Sequence, residues 1–188
     1  MKSIYLLPFL LVLVSANLGV DISNFELSPR TFFDCLASKD VTLTAFEIWD
    51  AQGKVNKNFL QNYIASKDAK IKDFDALVRV NDAFTPEDVC NGVASALPSS
   101  FSGTVWLHVA DQQGRWSLPK NQRIAYVENL TKACKDHGLK PGVYSSAFEW
   151  GTIMGFQGGG SGVLDAVAMR YFNNNGKDNF DDFEYAGF

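Results

Sequence analysis

The sequence predicts an α/β fold: an irregular, TIM-like β/α barrel in a single domain. Three observations lead there. Short apolar runs alternate with segments of helical periodicity, the order that builds a mostly parallel sheet. Six or more such units share a chain of 188 residues, a length suited to one ordinary domain. No Rossmann glycine fingerprint follows the first strand, which turns the reading from an open nucleotide-binding sheet to a barrel.

The elements follow in order. Gly19–Ile22 is a short strand carrying Asp21 at its end. Ser28 caps a helix that has Pro29 at its first position, and Phe32, Cys35 and Leu36 form its apolar face. Leu43–Trp49 is the second strand. Asn58–Ala69 is a helix with Phe59/Tyr63 and Leu60/Ile64 as four-apart pairs. Ala76–Val80 is the third strand. Thr85-Pro86-Glu87-Asp88 opens the next helix with a hydroxyl cap, a proline and two acids that suit the helix dipole. Thr104–Val109 is the fourth strand. Ile124, Val127, Leu130 and Cys134 mark the buried face of the longest helix, which stops at Gly138 with Pro141 soon after. Gly142–Ser145 and Ala166–Tyr171 are the fifth and sixth strands. The run Phe156-Gln157-Gly158-Gly159-Gly160-Ser161-Gly162 lacks the Gly-Lys-Ser/Thr ending of a phosphate loop and reads as a turn.

Composition narrows the function classes. Hydrophobic residues make up 46% and charged residues 20%, a globular balance. Seventeen Lys and Arg against 21 Asp and Glu give a net charge of −4, which argues against electrostatic binding of nucleic acid. Lys2 precedes the apolar run Ile4–Val14, too short to span a bilayer, and Val14-Ser15-Ala16 offers a signal-peptidase site. Residues 1–16 are therefore expected to be a secretory signal and 17–188 the mature domain. Secreted or vacuolar/lysosomal localisation and no membrane span follow, and a monomer is expected. Such compartments permit disulfides. Of Cys35, Cys90 and Cys134 at most two can pair; the other reading is three buried small hydrophobes. No Cys-x-x-Cys pair and no histidine cluster is present, so neither a metal nor another cofactor is expected. Asn129-Leu130-Thr131 is an N-glycosylation sequon.

In a barrel, polar side chains at the C-terminal ends of strands are candidate site residues. Asp21, Asp82 and Asp111 hold such positions. They also suit the capping of the helices that follow.

A set of short motifs then stands out: Gly19-Val20-Asp21-Ile22-Ser23, Phe33-Asp34-Cys35-Leu36, Trp106-Leu107-His108-Val109-Ala110 with Trp116-Ser117 after it, Gly142-Val143-Tyr144-Ser145-Ser146, Trp150 with Ile153 and Gly155, and Phe180-Asp181-Asp182-Phe183. In this order and spacing the chain resembles the glycoside hydrolase family 25 lysozymes, in particular the secreted branch of protists and nematodes. The resemblance runs from about Gly19 to the C-terminus. It implies a barrel whose groove binds peptidoglycan and cleaves the bond between N-acetylmuramic acid and N-acetylglucosamine.

The resemblance also assigns residues. Asp21 matches the family's aspartate at the end of the first strand. The family's Asp-x-Glu pair ends the fourth strand, where two-residue spacing turns both acids to one face. Here those positions are His108 and Ala110, and a methyl group donates no proton. A carboxyl proton source is what glycosidic cleavage requires. The expected function is therefore a catalytically impaired or inactive lysozyme relative that binds peptidoglycan or a related glycan. One alternative is an active enzyme that pairs Asp21 with a relocated acid such as Asp111. Another is a secreted binding protein on the same scaffold with no glycan role. Catalytic candidates are Asp21 and Asp111. His108, a proton donor if its pKa stays near neutrality, joins Tyr144 and Trp150 as substrate-binding candidates; the two aromatics match groove positions suited to stacking on sugar rings.

Overall fold

A computed structural model describes residues 18–22, 27–110, 116–145, 147–155, 169–172 and 183–184. Seven strands and five helices are described: β1 (Leu18–Ile22), α1 (Arg30–Ala37), β2 (Val41–Trp49), α2 (Phe59–Asp68), β3 (Asp73–Arg79), α3 (Pro86–Ala96), β4 (Val105–His108), α4 (Lys120–Asp136), β5 (Pro141–Ser145), α5 (Ala147–Met154), β6 (Met169–Phe172) and β7 (Phe183–Glu184). They form one sheet in sequential order. β1 to β6 pair in parallel, and β7 is antiparallel to β6. The α/β class with a mostly parallel sheet is as the sequence predicts; among the described strands none pairs β7 with β1, so the sheet they form is not closed into the irregular barrel expected.

Alternation along the strands gives the sheet two unlike faces. One carries Ile22, Phe46, Ile48, Ala76, Val78, Val105, Leu107 and Val143, and packs beneath the helices in the main core. The other carries Ala45, Leu77 and Trp106 as a smaller cluster, with Tyr144 against it. Gly142 makes room for that cluster. A Cβ there would lie 2.6 Å from Trp106 Cζ3, so only glycine lets the indole lie across β5.

Several local expectations hold. The Thr85 hydroxyl accepts from Asp88 N at 3.1 Å and caps α3. α4 ends at Asp136 with His137 as its C-cap, and Gly138 takes φ +75°, the left-handed turn that lets the chain leave. Others differ. Pro29, not Ser28, is the N-cap of α1, and no side chain caps that end; the Ser28 amide instead donates to Asn62 Oδ1 at 3.0 Å. The buried face of α1 centres on Phe33, whose ring meets Phe46 edge-on at 5.9 Å, while Phe32 and Cys35 are exposed. In α2, Phe59 and Tyr63 are buried but Leu60 and Ile64 face outward. Helix α5 and strand β7 were not anticipated.

Cys90 on α3 and Cys134 on α4 form a disulfide with Cα atoms 4.9 Å apart, and Cys35 is free. The reading of three buried thiols is thus corrected. No described helix is long and apolar enough to cross a membrane.

Candidate functional site

The candidate site lies on the sheet face away from the helices, toward the C-terminal strand ends. Asp21 stands on β1 between Val20 and Ile22, both of which pack toward the helical core, so Asp21 belongs to the opposite face; it is exposed. Its register partner on β2 is Ala45. Two residues further along β2, and on the same face, is Glu47, which is buried.

Glu47 is joined to the end of β3: Arg79 Nε donates to Glu47 Oε2 at 2.7 Å. Only 6% of the Glu47 side chain and 20% of the Arg79 side chain is exposed. Burial raises the Glu47 carboxyl above the ordinary range. Arg79 opposes that shift, while Asp50 and Asp21 add to it. The strand end is braced by Asn56, whose Nδ2 donates to the Glu47 carbonyl at 2.7 Å.

Across the next strands Arg79 is in register with His108, His108 with Tyr144, and Tyr144 with Arg170. The His108 and Tyr144 rings lie 4.6 Å apart with a 32° tilt. Burial lowers the His108 pKa to about 4, helped by the positive charge of Arg79. At neutral pH this imidazole is uncharged. It therefore does not supply the near-neutral proton considered from sequence.

Ala110 follows two residues after His108 and is buried; its carbonyl accepts from Trp116 Nε1 at 3.3 Å. Asp111 lies outside the described residues. Trp106 is buried and fills the floor of this face. Its Nε1 donates to Asp75 Oδ2 at 2.7 Å, and Thr104 N donates to Asp75 Oδ1 at 2.8 Å. Trp150 is buried in the core beneath the helices, away from the face that carries Tyr144. Asp82 serves as a clamp: its carboxylate accepts from Ser117 N and Oγ and from Leu118 N at 2.8–2.9 Å, fixing the segment that leads into α4.

The structure thus brings Asp21, His108 and Tyr144 to one face and adds Glu47 and Arg79, which sequence reasoning missed. The signal was present in Ala45-Phe46-Glu47-Ile48-Trp49, where a lone acid interrupts an otherwise apolar run. A carboxylate is almost never buried without a partner. Chemically, the cluster offers one exposed carboxylate, one buried carboxyl held by a guanidinium, and a pair of rings in tilted contact. No group of three or more His, Cys, Asp and Glu among the described residues is arranged to hold a metal.

The model of the family described as lysozyme-like protein 1 matches residues 13–188. "Probable GH family 25 lysozyme 2" of Dictyostelium discoideum is 29% identical over 179 residues, covering 93% of this chain and 80% of that protein. "Lysozyme-like protein 5" of Caenorhabditis elegans is 25% identical over 166 residues, covering 86% and 75%. Among solved structures, the family GH25 lysozyme of Aspergillus fumigatus superposes with a TM-score of 0.65 at 16% identity, over 80% of this chain and 74% of that one. The muramidase of Acremonium alcalophilum gives 0.63 at 11% identity, over 83% and 87%. By sequence and by fold, this chain belongs to the lysozyme-like proteins of glycoside hydrolase family 25.

Proposed function

We propose that this chain is a secreted or vacuolar/lysosomal lysozyme-like protein that binds peptidoglycan or a related glycan and hydrolyses it poorly. The seven strands are read as the larger part of a barrel, and the face bearing Asp21, Glu47, His108 and Tyr144 as the floor of its glycan groove. The His108 and Tyr144 rings, in tilted contact, supply an apolar platform for a sugar ring. Asp21 and the Glu47–Arg79 pair supply acceptors and donors for its hydroxyl groups.

One observation carries the reading of weak hydrolysis: Ala110 stands two residues beyond His108, just past the end of β4, where the family resemblance places the proton-donating glutamate. Loss of a positioned acid forfeits about 10²- to 10⁴-fold in rate. Both halves are tested on one preparation, by pull-down with insoluble peptidoglycan and by clearing of a wall suspension. Retention on the wall with clearing at least a hundredfold slower than an active family 25 lysozyme is expected. Clearing at ordinary enzymatic speed refutes the impairment, and failure to bind the wall refutes the glycan role.

A further inference from the structure

We infer that Glu47 has taken over the proton-donor role and works with Asp21, so that the residual hydrolysis of this protein depends on a carboxyl on β2 instead of β4. The inference rests on the glycan-binding reading above and goes beyond it by naming the acid.

The placement comes from the strand register. Asp21 is level with Ala45, and Glu47 is two residues further along the adjacent parallel strand, on the same face. Strand spacing and rise put the two Cα atoms about 8 Å apart. From that span two carboxyl groups can reach the separations glycosidases use, about 5–5.5 Å or about 6.5–9.5 Å.

The environments of the two groups differ in the way an acid–base pair requires. Asp21 is exposed, whereas Glu47 is buried. Burial favours the protonated form of Glu47, and the carboxylates of Asp21 and Asp50 push the same way. Arg79 opposes them, and the uncharged His108 beside Arg79 adds no positive charge near neutrality. Oε2 accepts from Arg79, so when acid protonates Glu47 the oxygen open to the proton is Oε1. Arg79 is in this sense a positioning residue: it fixes the carboxyl's rotation without touching the scissile bond.

The step balances without any further reactant. The glycosidic C1–O bond breaks, its electron pair leaves on the oxygen, and that oxygen takes the Glu47 proton. Water adds to C1 and passes a proton to Asp21. Exchange with solvent then returns a proton to Glu47 and removes one from Asp21.

The test uses the full mature chain, dye-labelled insoluble peptidoglycan and a pH series from 3 to 8. Dye release, wall pull-down and thermal melting are measured for wild type, Glu47→Gln, Glu47→Asp and Asp21→Asn. Wild type is expected to release dye faster in acid than at neutral pH. Glu47→Gln is expected to lose at least a hundredfold of that rate per wall-bound molecule, the pull-down giving the amount bound. Glu47→Asp keeps a carboxyl but withdraws it, and is expected to lose at least tenfold; it carries the test if Gln at this position unfolds the chain. A folded Glu47→Gln protein that binds the wall and releases dye at the wild-type rate overturns the proposal. So does a wild type that binds the wall and releases nothing at any pH. Absence of wall binding by wild type sinks the glycan reading itself, and this proposal with it.

Discussion

Arg79 and Glu47, 32 residues apart in sequence, meet through a single 2.7 Å contact from Nε to Oε2 on the sheet face opposite the helices. The two are largely buried. Their attraction therefore offsets a desolvation cost that neither group could bear by itself.

Removing one partner should be far worse than removing both. Arg79→Met leaves a buried carboxylate without its counter-charge and is expected to cost about 3 kcal/mol of unfolding free energy near neutral pH. The double variant Glu47→Leu/Arg79→Met should recover most of that loss. Urea denaturation of the two single variants and the double gives the coupling energy; additive losses would mean the contact carries no coupling.

The His108 ring makes stability depend on pH. Its folded pKa of about 4 lies below the ordinary 6.5, so between those values the unfolded chain binds more protons than the folded one. Stability then rises with pH across this window and falls on acidification, by a total on the order of 3 kcal/mol. Glu47, whose folded pKa is raised, works in the opposite sense, regaining stability as acid protonates it. Replacing His108 with Asn should flatten the fall between pH 6.5 and 4 in a series of denaturation midpoints. A curve that keeps its wild-type slope would place the titration elsewhere.

The disulfide ties α3 to α4 across a sequence separation of 44. Closing a loop of that length restricts the unfolded chain by about 4 kcal/mol in the entropic account. Cys90→Ala/Cys134→Ala should lower stability toward that figure, and one thiol per native chain, Cys35, should react with iodoacetamide. Two or three reactive thiols in the untreated native protein would contradict the pairing.

These features were legible in the sequence to different depths. The cap at Thr85 and the stop at Gly138 were readable because each depends on a few neighbouring residues. So was the alternation of strand and helix, which local periodicity records. The buried face of α1 was misjudged by one position, since Phe32 and Phe33 are adjacent and only the tertiary contact with Phe46 decides which turns inward. Asp82 resembled a site residue because a strand-end carboxylate serves catalysis and loop clamping alike; its bonds to Ser117 and Leu118 show the second use. Glu47 needed its long-range partner Arg79 to be recognised. Trp150 could be placed beneath the helices only once α5 was known.

The last prediction concerns β4. His108→Asp with Ala110→Glu would restore two carboxyl groups at the positions the family resemblance assigns. The exchange has opposing physical effects. Asp at 108 would be level with Arg79 and gain an opposite charge, but it would lose the ring contact with Tyr144. Glu at 110 must displace packing around a buried methyl whose carbonyl holds Trp116, and overpacking of this kind costs about 1–3 kcal/mol. A fold stapled by Cys90–Cys134 should tolerate that loss. Clearing of a wall suspension is therefore expected to rise at least a hundredfold over wild type, consistent with the rate a positioned acid contributes. A folded double variant that binds the wall yet clears it no faster would show that the missing acids are not what limits the reaction, and that the groove has diverged in shape as well as in charge.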